Sequence, residues 1–197
     1  IRVSTQQDGS LVLSPGEAAA KQRANEAIIQ VEPDQDPQSL ARRLIALYMI
    51  GLNAVILKSK NSRMSPHIRD TVRELVRSKL VGTEIVSESS SEMVLQVLLS
   101  YPELSAENTL RRMVTIADQM HRDSITALCE GKHDLAAQVL KSDDEVDRFA
   151  FYIVRLLKQA VMHPQLMKEI GLSSPRDCLG YRLIAKSVER VADHSSL

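Results

Sequence analysis

The chain has 197 residues, of which 44% are hydrophobic and only 3% aromatic, a composition that suits one or two globular domains with aliphatic cores. Lys plus Arg equals Asp plus Glu at 25 each, and neither half has an excess of one sign, so the basic surface of a nucleic-acid-binding protein is missing. No apolar run approaches the roughly 18 residues of a membrane span, and no signal peptide is visible. With two cysteines that fit reduced thiols, we expect a cytoplasmic protein.

The first predicted element is a β-hairpin over Ile1–Pro15, in which strands flank an Asp8-Gly9 turn. Asp-Gly between alternating residues is a strong hairpin signal, but an isolated hairpin is only marginally stable in water. The stretch resembles the closing strands of the AbrB DNA-binding domain, whose basic half has no counterpart here. Residues 1–24 are therefore assigned to a hairpin remnant and linker, and DNA contact is expected only through a region missing from this chain.

Residues 25–103 are predicted to form a small α/β domain. The strand-like runs are Ala27–Val31, Ala54–Leu57, Thr83–Val86 and Val94–Leu99, and the predicted helices are Pro37–Ile50 and Pro66–Leu80. The order βαβαβ implies a small sheet with helices packed on it. Tyr101-Pro102-Glu103 breaks the chain and marks the expected boundary to the next domain.

Residues 104–197 are predicted to form an antiparallel three-helix bundle, so the fold class is α+β, mainly α. Ser105, Ser174 and Pro175 mark helix beginnings, while Gly131 and Pro164 mark ends, which predicts helices over 106–130, 133–163 and from 175. Each helix has an apolar stripe with a 3.6-residue period. The stripes are Leu110, Met113, Val114, Ala117, Met120, Ile125 and Leu128; Val146, Phe149, Ala150, Ile153, Leu156, Leu157 and Ala160; and Leu179, Leu183, Ile184, Val188 and Val191.

Two acidic pairs stand out in the bundle: Asp143 with Asp147, and Glu189 with Asp193. Residues four apart lie on one helix face with Cβ atoms about 6 Å apart. Counting from the turns at about 1.5 Å per residue places both pairs at similar heights on neighbouring helices. Both pairs fall off the apolar stripes and are expected at the surface or on the rim of a groove. Helix rotation, which the sequence leaves open, decides whether they converge.

At these residues the chain resembles the PhoU family over roughly Leu104–Leu197. The resemblance is carried by RRMVTIADQMHRDSITAL, DDEVDRFAFYIVRLLKQAV and DCLGYRLIAKSVERVADH. PhoU proteins are helical accessory proteins of phosphate uptake that often contain two such bundles in one chain, whereas this chain has one. The resemblance implies metal ions held by the acidic pairs, with Fe, Mn, Mg or Zn as the candidate ions; carboxylate oxygens suit the harder of these cations.

The leading interpretation is a PhoU-like regulator of phosphate uptake and phosphate-responsive signalling. The resemblance implies a phosphate-transporter ATPase or a sensor kinase as partner, and the single bundle and unpaired hairpin favour a homodimer. Two alternatives remain open. The chain could be the effector or dimerisation part of an AbrB-type transcription regulator. It could also be a metal-free helical scaffold, whose acidic pairs are solvated and paired with Arg148, Arg155 and Arg190.

No sequence motif indicates an enzyme. The glycines form no phosphate-binding loop, and CxxC, HExxH and GxSxG are missing. Among the remaining candidates, His121 is expected to be a core histidine, while His194 and Asp118 are weaker candidates for additional metal ligands.

Overall fold

The computed structural model describes residues 2–5, 11–14, 25–60, 63–99 and 105–197. Strands β1 (Arg2–Thr5) and β2 (Leu11–Ser14) pair antiparallel, as the predicted hairpin requires. The predicted Asp8-Gly9 turn, the linker that follows the hairpin, and the predicted boundary at 101–103 all lie outside the described residues. A four-stranded sheet and then a helical bundle follow, which confirms the α+β, mainly α, fold class.

A mixed four-stranded sheet forms the α/β segment. Its strands are β3 (Glu26–Val31), β4 (Ala54–Ser59), β5 (Thr83–Glu88) and β6 (Glu92–Val97), in the spatial order β3-β4-β6-β5. Helix α1 (Pro37–Ile50) connects the parallel pair β3 and β4, helix α2 (Pro66–Lys79) follows β4, and β6 is antiparallel to both of its neighbours. Alternate side chains along the strands, such as Ile29 and Leu57, are buried in one core with the apolar faces of both helices.

Side-chain caps begin both helices of this segment at the predicted places. The Asp36 carboxylate accepts hydrogen bonds from the backbone N–H groups of Gln38 and Ser39, and the Ser65 hydroxyl accepts one from Ile68. These bonds satisfy donors that a helix beginning leaves free. At the other end of α1, Gly51 adopts a left-handed conformation with φ 101°, which glycine tolerates best.

Helices α3 (Ala106–Glu130), α4 (His133–Met162) and α6 (Pro175–Ser195) form the predicted three-helix bundle, and each packs against the other two. The short turn between α3 and α4 makes them antiparallel neighbours. A short helix that the sequence did not predict, α5 (Pro164–Glu169), lies between α4 and α6 and adds Leu166 to the bundle core. None of the helices in the described ranges combines the length and hydropathy that a membrane crossing requires.

The bundle core repeats every seven residues on all three helices. The core positions that follow this repeat are Ala106, Met113, Met120 and Ala127 on α3; Val139, Val146, Ile153 and Ala160 on α4; and Cys178, Ala185 and Ala192 on α6, all of them buried. A seven-residue repeat keeps one seam of each helix against its neighbours, as in left-handed bundles. The seam of α6 consists of small side chains, which allow this helix to approach α3 and α4 closely.

The prediction of which face of α6 packs into the core was wrong. Most of its predicted stripe is 46–70% exposed: Leu179, Leu183, Ile184 and Val191. On α3 the predicted stripe is confirmed only in part, since three of its members are exposed: Val114, Ile125 and Leu128. The stripe of α4 packs into the core as predicted. The physical reason on α6 is that the small-residue seam, and not the bulky row, faces the other helices, which leaves an aliphatic row on the outside.

Helix α4 is also the surface on which the α/β segment packs, through α1 and α2. Arg155 of α4 is fully buried and donates hydrogen bonds to the carbonyl oxygens of Tyr48 and Leu52, at 2.8 and 2.7 Å. It donates a third to Asn53 Oδ1, at 2.9 Å, and its guanidinium lies 5.0 Å from the centroid of the Tyr48 ring. The carbonyl end of a helix favours positive charge, so Arg155 ties the end of α1 to the bundle.

Candidate metal centre

Three of the four predicted ligands meet where α4 and α6 run side by side. Asp147 of α4 and Glu189 and Asp193 of α6 each offer a carboxylate oxygen, and these oxygens lie within 4.8 Å of one another. We call these three residues the acidic triad. They converge because the seam of α6 that carries Ala185 and Ala192 faces the bundle, which brings Glu189 and Asp193 to its margin. The rotation of the helices, which the sequence leaves open, is therefore one that brings these three carboxylates together.

The acidic triad lies on the rim of the bundle, as expected for residues off the core. The Asp147 side chain is 26% exposed and that of Glu189 is 18% exposed. The fourth predicted ligand, Asp143, lies outside the triad, although it is near enough to be repelled by two of its members. Burial, together with repulsion from Asp147 and Asp193, raises the pKa of the Asp143 carboxyl. The site therefore has more negative charge than its neighbours neutralise.

The cations beside the acidic triad are lysines and not the arginines that the sequence suggested. Lys79, the last residue of α2, places its ammonium 2.9 Å from Asp147 Oδ2 and 2.6 Å from Asp144 Oδ1. Lys186 of α6 pairs with Glu189. Burial alone would lower the pKa of Lys79, but the hydrogen bonds to Asp144 and Asp147 outweigh it and leave that pKa raised. Lys79 therefore stays charged at neutral pH.

None of the three arginines offered as partners, Arg148, Arg155 and Arg190, forms an ion pair with the triad within the part of the chain that the structure describes. Arg155 instead binds the backbone at the end of α1. Sequence reasoning missed Lys79 because it lies 68 positions before Asp147 and its contact depends on how α2 packs on α4.

The weaker candidates lie elsewhere. The prediction that His121 is a core residue was wrong, since it is exposed on α3. Asp118 is also exposed and pairs with Arg122 one turn away on the same helix. His194 follows Asp193 but is exposed and stands outside the acidic triad.

The donor set of the acidic triad fits a hard divalent cation. All of its possible ligand atoms are carboxylate oxygens, the type preferred by Mg²⁺, Mn²⁺ and Ca²⁺. Oxygens that bind one ion at about 2.1–2.4 Å lie at most about 5 Å apart, and the oxygens of the triad meet this limit. A cation would also relieve the repulsion that reaches Asp143.

Fold and site together define a helical-bundle protein with a carboxylate cluster on the bundle rim, attached to an α/β segment. Residues 110–196 match the family model of the PhoU domain, so the bundle is a PhoU domain that follows an α/β segment. The PhoU family is a family of non-enzymatic regulators of phosphate homeostasis. No curated protein and no solved structure gives a significant match to the chain.

Proposed function

We propose that this protein regulates phosphate uptake and phosphate-responsive signalling in the cytoplasm by binding protein partners, and that its acidic triad holds a divalent cation. The PhoU domain over residues 110–196 supports the regulatory role. The observation that supports the metal is the convergence of Asp147, Glu189 and Asp193 from two helices. A cation bound there joins α4 to α6 and so fixes the shape of the bundle surface that a partner contacts.

The proposed partners are a second copy of this chain and either a phosphate-transporter ATPase or a sensor kinase. The second copy is supported by the aliphatic row on α6, where Leu179 and Leu183 are 66% and 70% exposed. A row of large aliphatic side chains on one helix is typical of a surface covered by another protein. The other two partners rest on the PhoU domain, and binding measurements with each purified candidate distinguish them.

Calorimetric titration with Mn²⁺ tests the metal site. We expect the parent protein to bind Mn²⁺. Replacing two ligands together, Asp147→Asn with Glu189→Gln, is expected to weaken binding at least about 100-fold, because one carboxylate of the triad remains. The matched control is Glu107→Gln with Asp118→Asn, which removes the same charge from exposed positions on α3 and should bind Mn²⁺ like the parent protein.

Two results would contradict the proposed metal site. Equal uptake of Mn²⁺ by the double variant and the parent protein would place the ion elsewhere. No uptake by the parent protein would favour the metal-free scaffold, in which the acidic triad is a solvated helix surface whose Asp147 and Glu189 pair with Lys79 and Lys186. Circular dichroism of each variant shows whether the helices are intact, and the substituted side chains lie outside the seven-residue seam.

A further inference from the structure

Lys79 is the residue through which the α/β segment reaches the acidic triad. It ends α2, and its ammonium is hydrogen-bonded to Asp147, a member of the triad, and ion-paired with Asp144 one turn earlier on α4. Over the described residues, the other ion pair of the triad is made by Lys186, which lies on the same helix as its partner Glu189. Among the residues that the structure describes, Lys79 is therefore the one whose ion pair connects the site to a different part of the fold.

The surroundings of Lys79 hold its backbone in place. The next two residues, Leu80 and Val81, are buried, one in the core of the α/β segment and the other in the core of the bundle. The Tyr48 hydroxyl donates a hydrogen bond to the Val81 carbonyl oxygen at 3.0 Å. Only the flexible side chain of Lys79 is therefore free to change position, and only 21% of it is exposed.

A divalent cation in the triad and the Lys79 ammonium compete for one carboxylate. The ammonium contacts Asp147 Oδ2 at 2.9 Å, and a metal ligated by Asp147 would stand within a few ångströms of it. Two like charges, one of them double, repel each other at that distance by enough to weaken binding about tenfold even at the dielectric constant of water. Asp144 offers the ammonium an alternative partner, since its side chain is 58% exposed and it stands outside the triad.

We propose that Lys79 is a built-in competitor of the metal: it pairs with Asp147 of the acidic triad when no metal is bound, and a divalent cation displaces it from Asp147 onto Asp144 alone. The affinity of the site is then set by a residue of the α/β segment, and binding of the metal changes a contact between α2 and α4. This inference rests on the proposed metal site.

The competition predicts opposite effects of one substitution on stability and on metal affinity. Lys79→Met removes the ion pairs to Asp144 and Asp147, so the metal-free protein should unfold more easily. The same variant should bind Mn²⁺ at least tenfold more tightly, because the competing charge is gone. A purely structural role for Lys79 predicts instead that affinity stays the same or falls with stability.

The experiment is calorimetric titration of Mn²⁺ into the full chain, with thermal unfolding of each variant in a chelator. Lys79→Arg keeps the charge and should bind Mn²⁺ within about threefold of the parent protein. Lys158→Met is the matched control: Lys158 is exposed on α4, eleven residues beyond Asp147, or about 16 Å along the helix, and its removal should leave the affinity unchanged.

Tighter Mn²⁺ binding by Lys79→Met, together with parent-like binding by Lys79→Arg, would support the proposal. Mn²⁺ binding by Lys79→Met when the parent protein shows none would also support it. Equal or weaker binding by Lys79→Met than by the parent protein would overturn the competition and leave the metal site intact. No binding by either protein would overturn the competition and the metal site together.

Discussion

Replacing Arg155 by Met tests how the α/β segment is held to the bundle. The guanidinium is fully buried and donates to Tyr48 O, Leu52 O and Asn53 Oδ1 at 2.7–2.9 Å. No carboxylate pairs with it among the described residues, so its charge is balanced by the carbonyl end of α1 and the face of the Tyr48 ring. Methionine fills a similar volume but donates no hydrogen bond, so the variant leaves the Leu52 carbonyl oxygen and Asn53 Oδ1 without this donor. The Tyr48 carbonyl oxygen keeps a partner, since it also accepts a hydrogen bond from the Gly51 backbone N–H at 3.0 Å.

The expected loss is the difference between two large effects. A buried acceptor without a partner costs about 1–3 kcal/mol, so two of them would cost about 2–6 kcal/mol in all. The variant also removes a buried cation, whose desolvation costs several kcal/mol, so the lower end of that range applies. We expect the free energy of unfolding to fall by about 2 kcal/mol. For a chain of this size that corresponds to a midpoint about 4–8 °C lower.

Urea unfolding followed by circular dichroism measures the loss, and Lys158→Met on the same helix is the control, with an expected change below about 0.5 kcal/mol. Arg155→Lys should fall between the parent protein and Arg155→Met, because an ammonium cannot reproduce the planar fork of donors. A loss below about 1 kcal/mol for Arg155→Met would refute the reasoning, since the desolvation cost would then cancel the hydrogen bonds.

Two further predictions concern the surface of the bundle. Leu183→Glu places a charge in the exposed row of α6 and should convert the proposed dimer of 21.9 kDa chains into monomers, which light scattering measures. The control Leu128→Glu, on the exposed side of α3, should leave the dimer intact. A monomeric parent protein would contradict the proposed dimer. Asp143→Asn should stabilise the metal-free protein by up to about 1 kcal/mol near neutral pH. The raised pKa of Asp143 means that its ionised form is disfavoured in the folded state, so the advantage of Asn should vanish as the pH falls to about 4, near the unfolded value. Thermal unfolding in a chelator at both pH values measures this, and an advantage that grows toward low pH would contradict it.

The sequence predicted helix positions well because the signals at helix ends are local. Ser105, Gly131 and Pro175 define the limits of the bundle helices through caps and backbone geometry that involve only a few neighbouring residues. Helix α5 was missed because its six residues are too few to show a periodic apolar pattern.

The facing of α6 was mispredicted because bulky apolar side chains were assumed to be the buried ones. Burial also depends on how closely helices approach, and the small side chains of Cys178, Ala185 and Ala192 allow a closer approach than the leucines do. Their seven-residue spacing, shared with the seams of α3 and α4, was the available sequence signal. Had the buried face of α6 been assigned from that repeat, Glu189 and Asp193 would have been predicted to lie beside α4.

The cation beside Asp147 could not have been found from the sequence. Lys79 is an ordinary basic residue at a helix end, where positive charge is common, and its contact with Asp147 depends on the packing of α2 against α4. The acidic pairs themselves were visible from their spacing, whereas the position of Asp143 outside the acidic triad depends on the rotation of α4.

Anomalous diffraction from crystals grown with Mn²⁺ tests the central claim most directly. A single ion between α4 and α6 is predicted, with oxygens of Asp147, Glu189 and Asp193 about 2.0–2.6 Å from it and the Lys79 ammonium turned toward Asp144. An anomalous peak held by other residues, or crystals in which Lys79 still contacts Asp147 and no ion lies in the acidic triad, would contradict the account.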